Sequence, residues 1–382
     1  MSSVLEIAKK LNKEYQSDKF MRKSDIIPTY KRLKSKALGM SYPLYGGLPY
    51  GRIVVCSGKQ HSGKTTAAFA MIADYQKENP DKTCVFVDIE HSVDLQFQVA
   101  MNDVNQDKLF IIEPDTGMSG EQILSTVLEV ELQSDDIGMI VIDSIAALDT
   151  AQNLENDFEK DNGKRATIAG FLHKFCKEIM APLSDKGNIL VCINQVRVIG
   201  TTFTGAPILS EPGGDSLKFY SSVSIRFGTR SFMKGDEEIK GENAGEGSDG
   251  FRIKFQIFKN KTANTSRGGG FITYRYLTGM DWLSDLLNIA LTFDYIKRIN
   301  NVTYELINLE TNEIYKDDTG KDLRGKKSFL VDYILTHNDF REQYINMLQN
   351  HISAENTRTV SLLDQETVKE IVEEANTLKD NN

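Results

Sequence analysis

The stretch Gly58-Lys59-Gln60-His61-Ser62-Gly63-Lys64-Thr65 sets two glycines around four variable residues and follows them with a lysine and a hydroxyl. This is a P-loop pattern, and its chemistry is the grip on the phosphates of a nucleoside triphosphate. Backbone N–H groups must turn inward around the phosphates, so glycine stands where a side chain would obstruct the turn. The apolar run Ile53-Val54-Val55-Cys56 enters the loop and a helical pattern leaves it from Thr65 onward. A helix N-terminus adds its dipole and free N–H groups to such an anion site. Lys64 is placed to neutralise the β/γ oxygens and Thr65 to offer its hydroxyl to Mg²⁺, with Thr66 completing the stretch.

A Walker B partner must be an acidic residue at the end of an apolar strand, and Met139-Ile140-Val141-Ile142-Asp143 supplies it. Asp143 either holds Mg²⁺ through water or caps the next helix. Hydrolysis also needs a base or water-positioning group near the γ-phosphate. Glu90 follows the buried run Val85-Phe86-Val87-Asp88. If that strand neighbours the P-loop strand, Glu90 sits above the phosphates; otherwise it is an ordinary surface glutamate.

These residues need a frame. From about residue 50, short β-branched runs predict strands at Arg52–Ser57, Thr83–Asp88, Leu109–Glu113, Met139–Asp143 and Asn188–Gln195. Helical patterns fall between them, at about 64–79, 92–103, 119–133 and 164–182. Continuous apolar strands alternating with helices predict an α/β core, a mostly parallel sheet flanked by helices. After residue 222 the strands crowd together, at Ser222–Phe227, Arg252–Lys259 and Phe271–Leu277, and read as antiparallel additions to the sheet edge. Lys234–Gly250, rich in Gly, Glu and Asp, reads as an exposed, mobile loop. A second unit starts near Gly279, with helices at about 281–293, 327–336 and 338–350 and a hairpin-like segment at 302–315. The polar, acidic remainder reads as a loosely attached tail. At the other end, Val4, Leu5, Ile7, Ala8, Leu11 and Tyr15 form the apolar stripe of a helix. That helix packs either on its own domain or on a neighbouring subunit.

Bulk composition narrows the class. Hydrophobic residues make up 40% and charged residues 26% of 382, the mixture of a soluble chain with about two or three domains. No run approaches a membrane span, and the N-terminus lacks the apolar core of a secretory signal. Cys56, Cys84, Cys176 and Cys192 form no C-x-x-C pair, which speaks against a zinc or redox motif and for buried thiols in a reducing cytoplasm. The net charge of −9 excludes a uniformly basic nucleic-acid binder but leaves a local basic groove open.

Further segments line up with these. They are Gly47-Leu48-Pro49-Tyr50-Gly51-Arg52-Ile53, Asp88-Ile89-Glu90-His91, Pro114-Asp115-Thr116-Gly117 and Val141-Ile142-Asp143-Ser144-Ile145-Ala146-Ala147-Leu148. Ile193-Asn194-Gln195-Val196-Arg197, Gly213-Gly214-Asp215-Ser216-Leu217-Lys218-Phe219-Tyr220 and Lys259-Asn260-Lys261 follow in order. From about Ala37 to Tyr276 the chain thereby resembles the core of the RecA recombinases of bacteria and phages. The resemblance implies a RecA-type P-loop ATPase core using ATP and Mg²⁺. It also implies roles: Glu90 as general base, Gln195 as the sensor of the γ-phosphate, and Asp94 and Phe97 as the adenine contacts. The family usually has tyrosine where Phe97 stands, so stacking is kept and a hydroxyl contact is lost. Lys259 and Lys261 match a pair that reaches across a subunit interface to the neighbour's ATP.

The resemblance further implies two DNA-binding loops. The first, roughly Asn153–Arg165, carries Lys164 and Arg165; the second, roughly Val198–Gly214 beginning at Arg197, carries Phe203, Gly213 and Gly214. Without the resemblance each reads as a mobile surface loop. The chain departs from the family in its acidic first loop (Glu155, Asp157, Glu159, Asp161), in Ile168 where arginine is common, and in its Thr-rich, shorter second loop. The implied organisation is an N-terminal oligomerisation segment (1–36), the ATPase core (37–278), a small α/β C-terminal domain (279–352) and an acidic tail (353–382). The basic residues Lys316, Lys321, Arg324, Lys326 and Lys327 of the C-terminal domain either gather duplex DNA or form a solvated face. The implied activity is recombination: a homo-oligomeric helical filament on single-stranded DNA that captures double-stranded DNA and exchanges strands. A ring helicase, a small-molecule P-loop kinase and a non-catalytic regulator are the rivals; Lys259-Asn260-Lys261 and Gly213-Gly214 speak against the first.

Overall fold

The computed structural model describes residues 3–16, 21, 30–155, 168–201, 203, 207–235, 237–241, 245–263, 268–308 and 311–361. The chain forms two compact units, Met1–Lys31 and Arg32–Asn382. In the first, the Ser3 hydroxyl and the Glu6 carboxylate each accept from the other's backbone N–H, a capping box that starts helix Val4–Glu14. This helix buries no residue, and Val4, Leu5 and Ile7 on its apolar stripe are exposed.

The second unit is built on an 11-stranded sheet. Its parallel part runs Leu109–Ile112, Thr83–Asp88, Ile137–Asp143, Ile189–Gln195, Ile53–Gly58 and Val223–Phe227. Antiparallel strands continue it, as expected: Gly250–Asn260 pairs with Val223–Phe227, with Ser231–Lys234 and with Gly269–Arg275. Period-two alternation buries both faces of the four inner parallel strands, Thr83–Asp88, Ile137–Asp143, Ile189–Gln195 and Ile53–Gly58. Val54 and Cys56 face the cluster that holds Ala67, Phe69 and Ile72 of helix Lys64–Glu78. Ile53 and Val55 face the cluster that holds Cys176, Ile179 and Leu183 of helix Ala169–Lys186. Each buried Val, Leu, Ile or Phe among these contributes on the order of 1.5–3 kcal/mol. The four free cysteines are all buried.

After Gly279 the chain adds helices Trp282–Thr292, Lys327–Thr336 and Asn338–Ser361 around a 4-stranded sheet, over a cluster centred on Leu286, Tyr295, Leu306, Leu330 and Tyr344. No helix of the described residues is long and apolar enough to cross a membrane.

Three expectations change. Lys234–Gly250 is not simply a loop: Glu237–Ile239 pairs with Ser231–Lys234, turning at Gly235 with φ of 57°. Glu238 there ion-pairs with Lys254 at 2.6 Å, so the charges that read as solvation form a cross-strand contact. The segment after Arg197 is a two-stranded ribbon, Arg197–Thr201 against Pro207–Ser210, because Val198, Ile199, Thr201, Ile208 and Leu209 favour extended backbone. The last helix runs on past residue 350 to Ser361, since Tyr344, Leu348 and Ile352 repeat at four-residue spacing and are fully buried. Residues 362–382 lie outside the described residues.

Candidate active site

Strand order decides the site. The chain leaves Gly58 through helix Lys64–Glu78 and returns at Thr83–Asp88, with Ile189–Gln195 and Ile137–Asp143 lying between the two strands. Thr83–Asp88 is therefore not the neighbour of the P-loop strand. In doubly wound sheets a crevice opens at the carboxyl ends of strands where the order reverses. Register places Gly58 beside Gln195, Ile142 beside Cys192, and Asp143 beside Asp88, so all four strands end on that crevice.

Gly63 begins helix Lys64–Glu78 with a left-handed φ of 87°, and no side chain caps the helix start. No side-chain oxygen occupies its first N–H groups, which suits an anion there. A Cβ on Gly58 would lie 2.7 Å from the Phe227 carbonyl, so only glycine fits there. The Ser62 hydroxyl is buried without a hydrogen-bond partner, a donor that a phosphate oxygen would satisfy. Lys59, Gln60 and His61 are exposed around it. Lys64 and Thr66 are buried; the Lys64 ammonium donates to the Lys59 carbonyl at 2.8 Å. Burial pulls the Lys64 pKa down, while the charges of Asp143 and Glu90 pull it up. The Thr65 hydroxyl donates to Asp143 Oδ2 at 2.6 Å. Burial pushes the Asp143 carboxyl up to about 6 against the Thr65 bond, with the Glu90 charge adding to the rise. A hydroxyl and a carboxylate in contact at a strand end are the donor set for a hard divalent cation. The loop and this pair fit a phosphate chain with its cation.

Glu90 reaches the crevice although its strand is displaced. Its Oε1 accepts from Gln195 Nε2 at 2.8 Å and from the Ser144 hydroxyl. The Asp143–Ser144 peptide bond is cis. Nothing in the spacing of Val141–Leu148 gives Ser144 a role, because its contact depends on strand order. Asp88, one strand-end back, keeps one carboxylate oxygen buried without a partner, and burial raises its pKa.

From Gln195 the chain passes straight into the ribbon. Val196 N–H donates to the Gly58 carbonyl at 3.1 Å, and Asn194 Nδ2 donates to the Pro212 carbonyl at 3.0 Å. Arg197 lies exposed at the ribbon's base, and Phe203 is fully exposed. Gly213 and Gly214 carry φ of 89° and 66°. Gly213 is buried, where a Cβ would meet Leu172 at 2.7 Å, so it serves a close turn. Lys164 and Arg165 lie outside the described residues.

Asp94 and Phe97 stand apart from the phosphate loop at the start of helix Leu95–Asn102. Asp94 caps that helix, accepting from Phe97 N–H at 3.0 Å, and both side chains are exposed. Lys259 and Lys261 are not brought to this chain's own loop. Lys259 pairs with Ser224 and Asn260 with Val223, whereas Phe227 is the residue beside Gly58. The lysines thus sit at the far end of the parallel strands, about 13 Å away at ~3.3 Å per residue. There both donate to the Phe219 carbonyl, at 3.3 and 3.2 Å, and Lys259 donates also to the Lys218 carbonyl. Burial and the Lys261 charge bring the Lys259 pKa down to about 8.

Known proteins resemble the chain in sequence. The profile of the RecA N-terminal domain matches residues 4–277. The mitochondrial DNA repair protein recA homolog 3 of Arabidopsis thaliana is 31% identical over 312 residues, 81% of this chain and 65% of that protein. Protein RecA of Rickettsia canadensis is 32% identical over 264 residues, 69% of this chain and 71% of its own. Protein RecA of Rickettsia prowazekii is 31% identical over 268 residues, 70% and 73%. With the profile covering most of its length and the crevice built as described, the chain belongs to the RecA family.

Proposed function

We propose that this chain is a DNA-dependent ATPase and recombinase. It binds ATP with Mg²⁺ in the crevice, assembles as a helical filament on single-stranded DNA, captures a duplex and exchanges strands. Its parts are the N-terminal oligomerisation segment (1–36), the core (37–278), the C-terminal domain (279–352) and the tail (353–382). The observation that carries the reading is the bond from Gln195 to Glu90. It joins the group poised for hydrolysis to the first residues of the exposed ribbon.

Gly58–Thr66 hold the phosphates, and Thr65 and Asp143 hold the cation, which supplies charge neutralisation at the transferring phosphate. Glu90 orients the attacking water and accepts its proton. Asp94 and Phe97 meet the adenine. Gln195 reads the γ-phosphate and passes its state to the ribbon, where Arg197 takes DNA phosphates and Phe203 stacks on a base; Lys164 and Arg165 contribute from the first loop, and Gly213 and Gly214 give the second its turn. Lys259 and Lys261, remote from their own loop, act on the ATP of the next subunit. Each site is then completed only in the filament.

The test is ATP turnover of wild type, Lys64→Ala and Lys261→Ala, each with and without single-stranded DNA. Lys64→Ala loses turnover altogether. Lys261→Ala loses mainly the DNA-stimulated part, and wild-type stimulation falls steeply with salt. Equal wild-type rates with and without DNA, with no filaments in electron micrographs, would sink the recombinase reading.

A further inference from the structure

We propose that Arg226 is a positioning residue that clamps the returning limb of the ribbon across the end of the P-loop strand. It thereby sets the orientation in which the ribbon meets DNA. The inference rests on the function proposed above for the ribbon and adds to Gln195 a second arm between loop and ribbon.

Three residues lie in one row across the parallel sheet. Ser57, the residue before the P-loop's first glycine, is in register with Asn194 on one side and Arg226 on the other. Each flanking side chain holds one of two consecutive residues of the returning limb. Asn194 donates to the Pro212 carbonyl at 3.0 Å, and Arg226 Nη2 donates to Glu211 Oε1 at 3.0 Å. Glu211 and Pro212 therefore straddle the strand that delivers the phosphate loop.

The Glu211–Arg226 pair is not a loose surface contact. The Glu211 side chain is 8% exposed and that of Arg226 30%. The Arg226 guanidinium also lies 4.0 Å from the ring centroid of Phe258, a cation–π contact that fixes its plane. Phe258 immediately precedes Lys259 on strand Gly250–Asn260. From the strand beside the P-loop strand, one arginine thus touches the ribbon's exit and the strand that leads into the lysine pair. A guanidinium held by a ring on one side and a carboxylate on the other keeps a direction that a lysine would not. The ribbon itself is exposed along Arg197–Thr201, so its orientation depends on how its two ends are held.

Arg226→Gln tests the clamp. The expected result is a DNA-free ATPase rate within about twofold of wild type. The concentration of single-stranded DNA giving half-maximal stimulation rises about tenfold, the size of a typical coupling between sites. Maximal stimulation is kept. Hydrogen exchange of Val198–Leu209, followed without DNA, speeds up while that of Ile189–Ile193 does not. Phe258→Leu, a milder change, moves both readouts the same way. The exchanged pair Glu211→Arg with Arg226→Glu brings them back toward wild type. An unchanged DNA dependence in Arg226→Gln overturns the proposal, as does equal loss of DNA-free and DNA-stimulated turnover. Should wild type show no stimulation by DNA, the proposed function fails. Ribbon exchange in Arg226→Gln still decides the clamp: faster exchange supports it and unchanged exchange ends it.

Discussion

Strand Ile189–Gln195 and ribbon Arg197–Ser210 are consecutive in the chain and opposite in physics. Every residue of the strand up to Asn194 is buried, between parallel neighbours on both sides. Three residues later the chain is exposed at each position of Arg197–Thr201, with one antiparallel partner and a fully exposed Phe203. A two-stranded ribbon is marginal by itself in water, whereas a doubly covered parallel strand is among the last elements to open. The difference teaches where each half of the function is stored. The nucleotide end is positioned by the fold before any ligand arrives. The ribbon keeps its apolar and cationic groups in water, to be ordered by what it binds.

The largest test of that contrast is Glu90→Gln. Glu90 is held by Gln195 and Ser144, so the isosteric amide keeps the packing and removes only the carboxylate proposed to accept the proton. Turnover drops by about 10²–10⁴ with and without DNA alike. DNA binding and thermal stability, measured by fluorescence anisotropy and by melting, stay near wild type. A loss confined to the DNA-stimulated rate would mean that Glu90 works through the ribbon rather than on water.

The ribbon is broken from the other side by Phe203→Ala. Stacking of a base on an aromatic ring contributes about 1–3 kcal/mol. The single-stranded DNA affinity therefore falls by about tenfold while the DNA-free ATPase rate is unchanged. Since Phe203 is fully exposed, the melting temperature should not move. A stability loss instead would show that the ring packs on the protein.

How far the site was legible in sequence follows the same line. The P-loop, Asp143 and the parallel strands were readable because local spacing and continuous apolar runs determine them. Glu90 was readable as a residue but not in its place: its strand is separated from Ile53–Gly58 by two others, and strand order is a long-range property. Ser144 and Arg226 act through partners 54 and 15 residues away, at distances that no local pattern records. The ribbon is not legible because its Gly, Pro and Thr residues mask the β-branched alternation. The hairpin at Glu237–Ile239 is hidden in the sequence because a glutamate such as Glu238 reads as solvated, although it pairs with Lys254.

The smallest effect concerns the lysine pair, which belongs to neither region in its own subunit. Lys259 carries a pKa near 8, held down first by burial and then by the charge of Lys261. The native subunit thus binds that proton less firmly than the unfolded chain, whose lysine keeps the ordinary value of 10.5. Between about pH 8 and 10.5 the unfolded chain binds more protons, so this residue's contribution to stability rises with pH there. On the proposed function, activity runs the other way, because a neutral Lys259 would offer the neighbouring phosphates no charge. DNA-stimulated turnover of wild type is expected to decline by a factor of a few between about pH 8 and 9, as the charged fraction falls. Lys259→Arg, charged throughout, flattens that limb. The DNA-free rate, which in this reading does not draw on the lysine pair, shows no such decline. A stimulated rate flat to about pH 9.5 in wild type would remove Lys259 from the reacting charges and leave Lys261 as the group acting in trans.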